Sequence, residues 1–87
     1  MSTFISGGQV RAARALLGWS QLELSHAAGV GEASVKRFEN TQGDHTRQTR
    51  VMFVLKEALE ESGIVFLPEE DQQGSGVRFR KGYRNGH

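Results

Sequence analysis

Ser20-Gln-Leu-Glu-Leu-Ser-His-Ala-Ala-Gly-Val-Gly-Glu-Ala-Ser-Val-Lys-Arg-Phe-Glu-Asn40 is the stretch whose reading decides the fold of this 87-residue chain. Ser20 and Glu23 stand in the S-x-x-E spacing of a capping box, in which each side chain bonds an amide that a helix start leaves unpaired. Trp19, just before the cap, is spaced to staple onto Leu24. Leu24 and Ala28 share one side of this helix, and the small Ser25 allows a second helix to cross closely. Gly29 supplies the positive φ that ends the helix and reverses the chain. Val30 and Val35 repeat the staple spacing around Gly31, where a second helix needs its cap. In that second helix Val35 and Phe38 point inward, whereas Glu32, Ala33, Lys36, Arg37 and Asn40 point outward, with Ser34 between. Two short helices joined at a glycine turn, the second with a cationic outward face, form a helix-turn-helix, a shape that fits a DNA major groove.

Outward from this motif, helix one is expected from about Gly8 to Leu17, with Val10, Ala13, Leu16 and Leu17 inward and Arg11 and Arg14 flanking. Residues 1–6 read as a short arm. After the loop Thr41 to His45, a long helix is expected from near Thr46. Its Val51, Val54, Leu55, Ala58 and Leu59 recur at helical spacing, and Gly63 closes it. The pattern then changes. Ile64-Val65-Phe66-Leu67 is a β-type run, Pro68 to Ser75 a polar loop, and Gly76 to Lys81 alternates apolar and basic residues at period two. The expectation is a mainly α fold: a helix-turn-helix domain over 1–63 and a two-strand hairpin or extended arm over 64–87, within one compact unit. Val77 and Phe79 would face the helices and leave Arg78 and Arg80 in solvent or near phosphate. Ile64, Val65, Phe66 and Leu67 are apolar on both faces of a strand, more than a small domain can hide, and are therefore expected to pair two subunits as a dimerisation element.

Composition bounds the function. There is no cysteine, which excludes disulfides, zinc–thiolate sites and a cysteine nucleophile. No apolar run reaches membrane length, and the start of the chain lacks a charged segment followed by a hydrophobic one, so no membrane partner and a cytoplasmic location are expected. Net charge is only +1, but it is unevenly spread. Residues 51–70 carry one base against five acids, residues 1–50 six bases against four acids, and residues 71–87 four against one. The acidic helix is expected to face away from phosphate. His26, His45 and His87 lack paired ligand spacing, Glu60-Glu61 reads as a wet helix face, and Gly74-Ser75-Gly76 lacks the lysine of a phosphate cradle. No nucleophile, base and orienting group fall together, so neither an enzyme nor a cofactor nor a metal is expected.

Leu17 to Leu24, Ala28-Gly29-Val30 and Phe38-Glu39-Asn40 resemble the lambda-repressor-like family, the xenobiotic-response-element-type regulators, over roughly Val10 to Ser62. The resemblance implies a four-helix domain in which Gln21 anchors a backbone phosphate. It implies that Glu32 and Ala33 read base edges, with a further reader near Lys36 and Arg37, and that Arg14 pairs with Glu39. Two departures stand out: Gly31 where the family often has Ser or Thr, and Glu32 where it often has Gln. A glutamate cannot donate to purine N7 or O6 and suits the cytosine amino group instead. Arg11, Arg14, Arg47 and Arg50 read as solvated faces before phosphate contacts, and Arg14 as structural. The expected function is a repressor that binds double-stranded DNA as a homodimer, with Gln21, Glu32, Ala33, Ser34, Lys36, Arg37, Asn40 and Arg47 at the interface. The alternative is a protein-binding adaptor, an antitoxin or antiactivator, that turns the same surface toward a protein partner.

Overall fold

The computed structural model describes residues 5–40, 50–70 and 73–82. Among these residues the chain forms α1 (Gly7–Leu17), α2 (Gln21–Ala28), α3 (Glu32–Glu39), α4 (Arg50–Glu61), β1 (Ile64–Leu67) and β2 (Gly76–Phe79). The result is a small, mainly helical domain of four helices and one antiparallel hairpin.

Helix α1 begins with an interaction outside the predicted span. Ser6 Oγ accepts from the Gln9 amide at 3.1 Å, and Gln9 Oε1 accepts from the Ser6 amide at 2.8 Å, a reciprocal capping box. Ile5, only 2% exposed, sits in the core beside it. Residues 5 and 6 therefore belong to the folded unit and not to an arm, which corrects the sequence reading for the described part of that segment. The helix ends at Gly18, whose φ of 71° lets its own amide and that of Trp19 turn back onto the Ala15 and Arg14 carbonyls.

Helix α2 has the expected box: Ser20 Oγ accepts from the Glu23 amide at 3.0 Å, and Glu23 Oε1 from the Ser20 amide at 2.7 Å. Gly29 ends it at φ 74°, its amide donating to the Ser25 carbonyl. Ser25 is buried, and its hydroxyl donates to the Leu22 carbonyl at 2.7 Å, so a polar atom sits in the helix crossing without an orphaned donor. Helix α3 starts at Gly31, which offers no side-chain cap.

In α4 the buried residues are Met52, Leu55, Ala58 and Leu59. Met52 replaces the predicted Val51 and Val54 as the deepest residue of the first turn; both valines are half-buried. The expected start near Thr46 lies outside the described residues. Helix α4 leads through Gly63, at φ 103°, into the hairpin.

The strands pair Ile64 with Phe79, Val65 with Arg78, Phe66 with Val77 and Leu67 with Gly76. Alternation sends Ile64, Phe66, Val77 and Phe79 to one face, and all four pack on the core of Val10, Ala13, Leu24, Val35, Leu55 and Leu59. Ile64 is 2% exposed within the single chain. Ile64 is a core residue and Phe66, on the same face, packs against the core, so neither is an interface residue and the dimerisation assignment for both is corrected accordingly. The hairpin is tied to α1 by Gln9, whose Nε2 donates to the carbonyls of Leu67 at 3.2 Å and Gly76 at 3.0 Å.

Candidate functional site

The outward side of α3 is the candidate site. Glu32, Ala33, Lys36, Arg37 and Asn40 are exposed, Ser34 is half-buried, and Val35 is fully buried. The amphipathic division follows from sequence spacing: residues 35, 38 and 39 fall on one side of a helix of 3.6 residues per turn, and 32, 33, 36, 37 and 40 fall on the others. The exposed side thus holds one acid, two bases and one carboxamide.

What fixes the direction of α3 is a polar hub at Glu39, which is 2% exposed. Arg14 Nε donates to Glu39 Oε2 at 2.7 Å and Arg14 Nη2 to Oε1 at 2.9 Å, a bidentate pair. Arg14 Nη1 also reaches the Trp19 carbonyl at 3.0 Å, joining the α1–α2 turn to the same cluster. Gln21 Nε2 donates to Glu39 Oε1 at 3.0 Å. Arg11 Nη2 donates to the Glu39 backbone carbonyl at 2.7 Å and so closes the C-terminal end of α3, where unpaired carbonyls concentrate negative potential. Burial alone would push the Glu39 carboxyl up. Hydrogen bonds from Arg14 and Gln21, with the charges of Arg14 and Arg11, more than offset this and hold it below the ordinary glutamate value. The same hydrogen bond to Glu39 holds Arg14 yet more firmly protonated.

Backbones meet closely at this point. A Cβ on residue 7 would lie 2.5 Å from the Phe38 carbonyl oxygen and 2.7 Å from that of Glu39, so only glycine lets the start of α1 touch the end of α3.

The structure therefore brings Gln21, Arg14 and Glu39 together and leaves Glu32, Ala33, Lys36, Arg37 and Asn40 outside on a shared helix. It ties one amide donor of Gln21 to Glu39; the remaining donor and the carbonyl oxygen are the atoms open to other uses. Arg47 lies outside the described residues. Sequence reasoning missed Arg11 as a helix cap, although it stands one turn before Arg14 on the same side of α1. It also missed Gly7 and Gln9, although the S-x-x-Q pattern at Ser6 to Gln9 is a helix-start signal of the kind used for Ser20.

Among the described residues no three His, Asp or Glu side chains group as metal ligands, and no helix is long and apolar enough to cross a membrane. Neither family models nor curated proteins give a match to the chain.

Proposed function

We propose that this protein is a lambda-repressor-like helix-turn-helix regulator that binds a specific duplex DNA sequence, acting as a repressor and as a dimer on an inverted repeat. The observation that carries this reading is the contrast between the two ends of the α3 cross-section. One side is locked through Glu39 to α1 and α2, and the other presents Glu32, Ala33, Lys36 and Arg37 to solvent. A rigidly held helix with an exposed polar face is what major-groove reading requires, since base-edge contacts are made within narrow tolerances of position. Lys36 and Arg37 supply cationic groups, and Glu32 supplies an acceptor matched to the cytosine amino group. Gln21 and Arg47 would set register on the phosphates. A dimer would place two copies of α3 in successive major grooves, about 34 Å apart.

A second reading, an adaptor that offers the same surface to a protein, draws on Leu22, an apolar side chain of α2 that is 47% exposed. Selection of bound sequences from a random duplex pool, followed by titration of the winner at rising salt, separates the two. A regulator enriches a palindromic sequence and binds it with affinity that falls steeply with salt. No enrichment, with poor binding at every ionic strength, would leave the adaptor.

A further inference from the structure

The hairpin has two chemically distinct faces. Its inner face, Ile64, Phe66, Val77 and Phe79, is spent on the core. Its outer face carries Val65 and Leu67 on β1 and Arg78 on β2. Leu67 lies across Gly76: a Cβ on that glycine would touch Leu67 Cδ1 at 3.9 Å. Val65 and Leu67 are half-buried and belong to no part of the core cluster.

Charge is also divided along the hairpin. Exposed Glu69 and Glu70 stand at the loop end, and exposed Arg80 and Lys81 at the base, where the Arg80 amide bonds the Gly63 carbonyl at 2.7 Å. Among the described residues none of these four side chains, nor that of Arg78, forms an ion pair of the kind seen in Arg14–Glu39 and Lys56–Glu60.

We propose that a second copy of the chain docks on this outer face in an antiparallel, twofold arrangement, the acidic loop end of one hairpin against the basic base of the other. The proposal rests on the dimeric reading given above and specifies its surface. A molecule with an acidic and a basic end on one face is complementary to itself when turned through 180°, which is the requirement of an isologous interface. Register supports the match. The Glu70–Gln73 bridge carries the register on to the loop; alternation then puts Glu69, two residues past Leu67, and Arg80, two residues past Arg78 and opposite Gly63, on the outer face, about 20 Å apart at roughly 3.3 Å per residue, with the midpoint beside Phe66. An axis there sets Val65 of each copy against Leu67 of the other and each Glu69 opposite the partner's Arg80. The face is smaller than a standard interface, so the dimer is weak and concentration-dependent in free solution. Two half-sites on one duplex would strengthen it by holding the copies together.

Sedimentation velocity on the full chain, without DNA, tests this across protein concentrations at low and high salt. The wild type should interconvert between monomer and dimer, more weakly at high salt. Arg80→Glu should raise the dimer dissociation constant roughly tenfold, because the axis repeats each lost pair. The double variant Glu69→Arg/Arg80→Glu should restore it by reversing both ends. A wild type that stays monomeric throughout, or a dimer indifferent to the single and double variants, overturns the proposal. Titration of the same samples with random-sequence duplex keeps the two readings apart. DNA binding without a hairpin-dependent dimer counts against this surface alone, whereas a dimer without DNA binding counts against the regulator alone. Arg80→Glu that dimerises like wild type but loses duplex affinity assigns the basic end to phosphate and also overturns the proposal.

Discussion

Arg14 and Glu39, 25 residues apart, form a two-pronged ion pair whose acid is 2% exposed and whose base is 17% exposed. Two charges taken this far out of water are costly to separate. Arg14→Met should therefore destabilise by about 3 kcal/mol, because it leaves a buried carboxylate opposite an apolar group. Arg14→Met/Glu39→Leu should recover much of that loss. Urea unfolding of the single and double variants measures both, and a single variant as stable as wild type would show that solvent already screens the pair.

The Glu39 carboxyl also predicts an acid limit. Its pKa in the folded chain lies below the ordinary glutamate value of about 4.3. A group depressed by folding contributes fully above its unfolded pKa, and that contribution fades as pH falls through the lower folded value. The stability difference between wild type and Glu39→Gln should thus be constant near neutrality and shrink below about pH 4.3. Thermal melts from pH 7 to 3 follow it; a difference that grows on acidification would reverse the assigned sign.

Gly7→Ala should destabilise by about 1–3 kcal/mol, since its new methyl meets backbone oxygens that no rotamer change can move aside. Gly31→Ala provides the control, because a Cβ there meets nothing within 4 Å and φ is an ordinary −74°. Equal effects at the two positions, read by chemical denaturation, would argue against close packing of α1 on α3.

Gln9→Glu separates two jobs done by one side chain. A carboxylate can still accept from the Ser6 amide but cannot donate to the Leu67 and Gly76 carbonyls. The helix start should survive while the hairpin loosens, at a cost of about 1–3 kcal/mol for the unmet buried groups. Hydrogen exchange should show faster exchange at 64–67 and 76–79 with little change at the start of α1. Uniform acceleration would mean the two elements do not separate.

Under the proposed function, Arg37→Ala should cost about 1–3 kcal/mol on the selected DNA sequence if the side chain reads guanine, and less on random duplex. Equal loss on both would make it a phosphate contact. Fluorescence anisotropy with the two duplexes distinguishes the cases.

How legible this was in the sequence depended on the range of the interactions. The Ser20 box and the turn at Gly29 are encoded within a few residues, so local spacing predicted them. The hairpin was legible from alternation over Gly76 to Phe79. Helix α4 shows where that method stops. Val51-Met52-Phe53-Val54-Leu55 is apolar throughout, so periodicity cannot set its phase; packing puts Met52 inside and leaves Phe53 49% exposed. Ile64 is a similar case, since a strand apolar on both faces does not say which face meets the core. Gln9 and Arg11 act on carbonyls of distant segments, and no pattern in residues 7–17 announces those acceptors. At the candidate site, the identity of the exposed α3 residues was readable, but the convergence of Arg11, Arg14 and Gln21 on a single residue was only partly so.

Arg11, Arg14 and Gln21 hold α3 at its last residue, so the helix is mounted like a cantilever with its tip at Glu32. Exposed tip residues carry little of the folding energy, and exchanging them costs the fold almost nothing. Under the proposed function, a lineage could therefore retarget such a molecule by trading residues 32 and 33 while the mounting stays untouched, which makes changes of preference evolutionarily cheap.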